Sequence, residues 1–563
     1  MNKPRSFKEQ FTLRGMIIGA IGAIILTCSS MFVALKASSL PWPIMFVTLV
    51  SLFSLKAFGH TNMNEINVTH TAMSAGSMVA GGLAFTVPGI FIINKTAELN
   101  LTQIMLVTLG GTILGLIFTS LLRHHFIVKA NMPYAMGQAA AEVVKVMASD
   151  VAEEGEKAEE SEADSNKSNV KGGAAAGTLF GSFGLAGIWT LLRDLWAKVP
   201  ALSLFKGMTP FGSMGGIWWS PMLISIGYLI GPAVIGVWFL GAIIGDFGIL
   251  IGGQSLFGWS QDFASGLKSS IGLGWMVGVG LAITAKEIIP RAKDIFGGMF
   301  SKDQGKEAIV PMKWAPFVIL ALALLFIFVL DLPIVAVIIT LLGVWLTTAM
   351  SSQCVGQSGI NPMEVFGIFV MAIAKLCCKL EVQQAVYVAA IVAIAAGLTG
   401  DVMNDFKSGS ILKSDPKAQW IGECIGGIIG AVVSVFVIVI LVKAYGGEVF
   451  GSDMFPAAQA AAVASVVNGV ANMPAFLIAM AVSIGVYFIT PALTMLGLGI
   501  YLPFYLSFTA FIGGAIRFLV NKLAPKFAKG NVGDILAAGL LAGEGFIGVI
   551  IALYQAIQII SAA

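Results

Sequence analysis

Few residues in this chain of 563 could do chemistry, and most of them sit inside apolar surroundings. Residues 64–89 read NEINVTHTAMSAGSMVAGGLAFTVPG, and on a helix Asn67, His70, Ser74, Ser77 and Gly81 recur at spacings of three and four, so they share one small polar face, with Glu65 and Thr71 beside it. Such a face could line a solute path, or it could be a close helix contact with a hydrogen-bonded His70. Pro88 and Gly89 should break this helix and free backbone groups for a ligand. In SGINPMEVFG (358–367), Asn361 and Glu364 stand one turn apart and Pro362 suits a helix's first turn. A loop-to-helix transition there would aim free amides at an anionic group such as a peptide carboxylate, unless it is a simple helix start near the surface. In GLTGDVMNDFKSG (397–409), Asp401 and Asp405 lie at i and i+4, with Lys407 placed to pair with either. Two acids this close repel each other, which suits proton uptake and release, although capping of a helix end is the rival reading. Gln138 and Glu142 repeat the i, i+4 pattern in PYAMGQAAAEVVK, and Glu544 stands alone between two glycines in LAGEGFIG.

The elements that must hold these groups are membrane helices. AVILMFWYC residues make up 57% of the chain and charged residues 11%, and the mean hydropathy is +0.89, whereas an ordinary soluble domain is about 25% charged. A hydrocarbon core of about 30 Å takes around 20 apolar helical residues. Runs such as Gly15 to Leu35, Ile104 to Leu122, Leu332 to Met350, Val382 to Leu398, Ile425 to Val442 and Ile535 to Ile559 supply them. Other segments, among them Asn67 to Ile93, Trp219 to Ile251 and Pro503 to Val520, are interrupted by Gly, Ser and Thr. The expectation is an all-α polytopic protein of about 14–16 spans, some of them broken or re-entrant. An acid at mid-bilayer costs about 2.5–3.5 kcal/mol on insertion scales, so buried acids should face a cavity or a transport path.

Lys3, Arg5, Lys8 and Arg14 put the N-terminus in the cytoplasm by the positive-inside bias, and the multi-pass chain in the cytoplasmic membrane. The first apolar run is too long for a signal peptide and no small-x-small cleavage site follows it. Residues 286–313, rich in Lys and Arg, read as a second cytoplasmic loop, and Lys522, Lys526 and Lys529 as a third. Residues 149–171 hold a block of Asp and Glu with almost nothing apolar, the composition of a disordered linker. The five cysteines are odd in number and lie in or beside apolar runs, as packing groups do.

Two halves echo each other in order. Leu40-Pro41 and then Ile66-Asn67 correspond to Leu332-Pro333 and then Ile360-Asn361; QAAA at 138–141 corresponds to QAAA at 459–462, which draws Gln459 in with Gln138. Pro221, Ser225, Ile230 and Gly231 correspond to Pro503, Ser507, Ile512 and Gly513 at identical spacing. The division expected is a first repeat in 1–148 and 172–300, split by the linker 149–171, an inter-repeat loop in 301–313 and a second repeat in 314–563. A cavity between the repeats would then be lined by the broken helices near Asn67 and Asn361.

Enzyme readings find little. Gly305-Lys306 is followed by Glu307, so there is no phosphate-binding G-x-x-x-x-G-K-[ST], and with four histidines there is no H-E-x-x-H. GQSG at 356–359 is a short pattern in a Gly-rich chain. Nothing calls for a cofactor, a bound metal or a nucleic-acid partner, and homo-oligomerisation is left open.

Five blocks in order, NEINVTHTAMSAGSMVAGGLAFTVPG, GINPMEVFG, GLTGDVMNDFKSG, GLGIYLPFYLSFTAFIGGAIR and LAGEGFIGV, resemble the signature segments of the oligopeptide transporter (OPT) family, whose plant relatives are the yellow stripe-like transporters. The resemblance runs from about Arg14 to Tyr554. It implies a secondary transporter of duplicated origin, driven by the proton gradient, that imports small peptides or metal complexes of chelating amino-acid derivatives. It highlights Glu65, Asn67, Thr71, Asn361, Glu364, Asp401, Asp405, Lys407, Tyr501, Pro503, Arg517 and Glu544. His70 and Met136 depart from the family's pattern, which leaves the substrate class open. The substrate set expected is therefore Glu65, Asn67, His70, Thr71, Gln138, Asn361, Glu364, Gln459 and Tyr501. The proton-coupling set is Glu65, Asp401, Asp405, Glu544 and Glu142.

Overall fold

In lipid every backbone polar group must be satisfied within the chain, and this sequence does so with helices. The computed structural model describes residues 6–37, 40, 44–134, 136–141, 144–145, 172–283, 285–286, 290, 309, 314–358, 361–468, 470–525 and 532–562. Among them nine helices are long and apolar enough to cross a membrane, including Leu13–Ala37, Gln261–Ile283, Val382–Leu412 and Pro416–Tyr445. Shorter apolar helices such as Pro221–Ile230, Ala315–Phe328, Ala458–Asn468 and Met473–Ile489 lie among them. The strands described are Leu202–Leu204 and Gly216–Trp218, an antiparallel pair. This is the all-α polytopic architecture the composition leads to. The acidic segment 149–171, the loop 301–313 apart from Ile309, and Glu142 lie outside the described residues.

The apolar side chains of the outer helices point outward, as a lipid solvent requires: on Ala315–Phe328, Phe317 and Phe328 are exposed. The inner helices are different. Met63–Ala84 is buried from Asn64 to Ala84 and packs against Leu13–Ala37, Val382–Leu412 and Pro416–Tyr445. Small residues allow that approach: a Cβ on Gly426 would lie 2.0 Å from the carbonyl oxygen of Ala72, and one on Gly430 2.2 Å from Cα of Gly76. On the opposite face of the same helix, the polar stripe meets Val382–Leu412: Asn67 donates to Ser408, Ser74 donates to Asp405, and His70 stands 3.6 Å from Asp405, so these groups are buried in a hydrogen-bonded helix contact, the second of the two readings open to them. Among the described residues, none of Asn67, His70, Ser74 and Ser77 lines either of the two cavities described below.

Several helices are interrupted where the sequence suggests. Met63–Ala84 ends at Phe85, and Pro88–Ile93 resumes after a turn. Ile334–Ser358 stops ahead of Asn361 and Pro362, and Met363–Cys377 begins after them. Gly231, at φ +94°, separates Pro221–Ile230 from Pro232–Ala242. The helices that open on the matched prolines, Pro221–Ile230 and Phe504–Leu523, pack on each other so closely that a Cβ on Gly227 would fall 1.7 Å from the carbonyl oxygen of Ala510.

Candidate functional site

The unwound turn at Asn361-Pro362 and the start of Met363–Cys377 face a cavity of about 300 Å³. Helices from both halves of the chain enclose it: Met78 and Phe85 from one side of the fold, Met276 from Gln261–Ile283, and Met363, Gln459 and Leu498 from the C-terminal half. Three of the residues expected to bind substrate, Asn361, Glu364 and Gln459, line this one cavity. Asn361 is held in place, donating to the carbonyl of Ala396 at 2.9 Å and accepting from Ser351 Oγ at 3.1 Å. Glu364 is the only acid in the lining, and among the described residues no ion pair engages it. Four methionines, Met78, Met276, Met363 and Met495, give the wall its adaptable apolar character.

The second assembly is a buried acid cluster. Asp401, Asp405 and Glu423 bring carboxylate oxygens within 4.8 Å of one another, a spacing at which carboxylates share protons or hold a cation between them. All three are at most 3% exposed. Ser74 Oγ donates to Asp405 Oδ2 at 2.7 Å, and His70 Nε2 stands 3.6 Å from Asp405 Oδ1, its Nδ1 3.1 Å from Thr48 Oγ1. Gln419 donates to Asn67 at 3.0 Å and to the carbonyl of Asp405 at 2.7 Å, and Asn67 donates to Ser408 at 2.8 Å. Among the described residues both oxygens of Glu423 and Oδ2 of Asp401 have no hydrogen-bond partner. Lys407 does not pair with either aspartate. It donates instead to Asn131 Oδ1 at 2.8 Å, because a residue at i+2 from Asp405 points away from it around the helix.

The remaining expected residues are placed elsewhere. Glu65 is engaged by Arg14 at 2.7 Å, Thr12 at 2.6 Å and Thr61 at 2.8 Å. Glu544 pairs with Arg193 at 2.9 Å and accepts from Ser220 Oγ and the Met222 amide, both at 2.8 Å. Both acids are fully committed to these partners. Asn67, His70 and Thr71, at most 1% exposed, bind neighbours inside the helix contact and do not line the cavity. Gln138 is exposed on a helical stretch at 136–141, and Tyr501 lines a second cavity.

Sequence reasoning missed Glu423, Lys36, Arg193 and the pair of Lys268 with Asp246, which meet at 2.7 Å. Glu423 could have been found as an acid at the edge of the apolar run 425–442. Lys36 and Arg193 flank the Trp218 ring, with the Lys36 ammonium 4.0 Å from its centroid, and nothing in their spacing foretells that meeting.

The family model for OPT oligopeptide transporter proteins matches residues 10–555, nearly the whole chain. The chain belongs to the OPT family. This OPT member is 25% identical to a protein of Haemophilus influenzae named as an oligopeptide transporter, over 93% of this chain and 91% of that one. It is accordingly a multi-pass membrane transporter, not an enzyme, and the five sequence blocks that resemble the family belong to it. In this OPT transporter, those blocks supply both the cavity residues Asn361 and Glu364 and the acids Asp401 and Asp405.

Proposed function

We propose that this transporter imports small oligopeptides across the cytoplasmic membrane, N-terminus inside, as a proton-coupled symporter. The observation that carries this reading is the cavity holding Asn361, Glu364 and Gln459 at the junction of helices from both halves, beside a buried acid cluster. The unneutralised Glu364 receives the ammonium of a peptide, amide side chains receive its backbone, and the methionine-rich wall takes varied side chains.

The proton is carried by Asp401, Asp405 and Glu423. Three charged carboxylates at this spacing, with His70 the one basic group paired with them among the described residues, repel one another in a medium that solvates them poorly, and protons relieve both costs. Ser74 binds this cluster and Met78, one turn further along the same helix, lines the cavity, so loading of either site bears on one rigid element. Glu65 and Glu544, each held by an arginine, serve the fold in this reading.

The test is uptake by proteoliposomes under an imposed inward proton gradient, with di- to tetrapeptides and ferric chelates as alternative solutes. Peptides should accumulate above equilibrium and a protonophore should abolish this. Accumulation of chelates alone, or peptide flux indifferent to the gradient, would sink the proposal.

A further inference from the structure

The buried acids are drawn from two helices. Asp401 and Asp405 lie one turn apart on Val382–Leu412, and Glu423 joins them from Pro416–Tyr445, with carboxylate oxygens of all three within 4.8 Å of one another. Ligand atoms that share one ion can be no further apart than twice the metal–oxygen length, about 5 Å for Ca²⁺, and this spacing meets that condition. The sequence pattern does not show the set, because its third acid arrives from the next helix.

Spacing alone would not make a site. What sets these acids apart is burial combined with oxygens that nothing satisfies. Glu423 is 0% exposed and Asp401 3%, and among the described residues both oxygens of Glu423 and Oδ2 of Asp401 have no hydrogen-bond partner. Such acceptors are rare in a protein interior, because burying one without a donor is costly. The neighbouring donors are engaged elsewhere: Ser74 Oγ donates to Asp405 Oδ2, Gln419 to Asn67 and the Asp405 carbonyl, and Lys407 to Asn131. His70 stands by Asp405 alone, at 3.6 Å, with Thr48 at its other ring nitrogen. A proton supplies one donor to one oxygen, whereas a metal cation draws on several oxygens at once.

The donor set also indicates which cation. Carboxylate oxygens without sulfur suit a hard ion. Three negative charges in a poorly screened interior favour two positive charges over one. Mg²⁺ fits less well, since it dehydrates reluctantly and keeps several waters, while Ca²⁺ accepts carboxylates in one- or two-oxygen contacts and in flexible geometry.

We propose that Asp401, Asp405 and Glu423 form a binding site for a divalent cation of the Ca²⁺ or Mn²⁺ kind, which bridges Val382–Leu412 to Pro416–Tyr445 and excludes protons from the same oxygens. The binding stands on the geometry by itself. Its consequence, that the cation inhibits peptide accumulation, rests on the proton-coupling reading.

The experiment uses the full-length protein in detergent, stripped of metals with a chelator, and Mn²⁺ as the probe, whose free electron-paramagnetic-resonance signal falls on binding. Wild-type protein should bind Mn²⁺ saturably, Ca²⁺ should displace it, and acidification should release it, because the ligands must be deprotonated. Glu423→Gln and Asp401→Asn should each weaken binding about tenfold or more, since even changes around a metal's direct ligands cost that much. Asp453→Asn, which alters an acid on an exposed turn, should bind Mn²⁺ like wild type. If one of the two cluster variants fails to fold, the other decides. No saturable binding by wild type, or binding that the folded cluster variants keep or that Asp453→Asn loses equally, overturns the site. In proteoliposomes with Mn²⁺ on both sides, wild-type accumulation of peptide should fall. A wild type that binds the ion at the cluster yet accumulates peptide undiminished defeats the proton reading of these acids and leaves the cation site standing, whereas one that accumulates peptide but binds no Mn²⁺ defeats the cation site alone.

Discussion

Ser74 Oγ donates to Asp405 Oδ2 at 2.7 Å and thereby ties Met63–Ala84, from the N-terminal half, to Val382–Leu412, from the C-terminal half, at the acid cluster. A hydrogen bond to a charged group contributes about 1.5–3 kcal/mol. Ser74→Ala should therefore lower the thermal stability of the detergent-purified protein by that order, and Ser74→Thr, which keeps the hydroxyl, should restore most of it.

Replacing the acids should separate coupling from passage. Asp405→Asn and Glu423→Gln each remove a proton-accepting carboxylate. Peptide accumulation in proteoliposomes should then fall to equilibrium, an inside-to-outside ratio of about one, while counterflow exchange persists, because without differential binding of the ion no gradient can be transmitted. Uphill accumulation like wild type in both variants would rule the cluster out as the coupling site.

Glu364→Gln should weaken peptide binding by about 1.5–3 kcal/mol, or roughly ten- to a hundredfold, as expected for losing one charged partner. Titration with a peptide and its N-acetylated form checks the assignment. Wild-type protein should discriminate between the two, and the variant should not.

Glu544 and Arg193 form a buried pair with 0% side-chain exposure on both sides. Removing one partner from such a pair costs about 3–5 kcal/mol when the other charge is stranded, and less here because Arg193 keeps Asp194 at 2.6 Å, although Ser220 Oγ and the Met222 amide also lose their acceptor. Glu544→Ala should accordingly reduce the folded yield on size exclusion rather than uncouple transport. Glu65→Gln should be milder, since Arg14 is 34% exposed and water can take over its charge.

Gly426→Ala tests the helix contact. Its new Cβ would meet the carbonyl oxygen of Ala72 at 2.0 Å, a distance only a backbone shift relieves. Overpacking of this kind costs about 1–3 kcal/mol, and here it should also displace Glu423, three residues earlier, and so impair coupling. Melting temperature and accumulation measured on the same preparation should fall together.

Much of the site was legible because it depends on local pattern. Asp401 and Asp405 at i and i+4 face the same way on any helix, and a helix that stops before Asn361-Pro362 must present its next turn, with Glu364, to whatever lies there. The polar stripe of residues 67–81 was legible as a face but not as a surface, since helical spacing says which residues share a side and nothing about what covers it. Ser408 and Asp405 on Val382–Leu412 cover it, and they lie 341 and 331 residues away in the chain from the Asn67 and Ser74 they bind. Lys407 turns to Asn131 for a simpler reason: residues adjacent in sequence on a helix do not thereby bring their side chains together.

The amino-acid sequence by itself determined that the solvent is lipid, that the chain is a bundle of helices with several interruptions, and which family's segments it carries, because each follows from composition and from residues within a few turns of one another. Tertiary structure alone decided which ionisable groups are neutralised and which are not. Glu65 found Arg14, Glu544 found Arg193 and Lys268 found Asp246, whereas Glu364 met a cavity and Glu423 met two other acids. A buried charge acquires its role from its partners, and those partners come from helices whose meeting is set by packing across the whole fold.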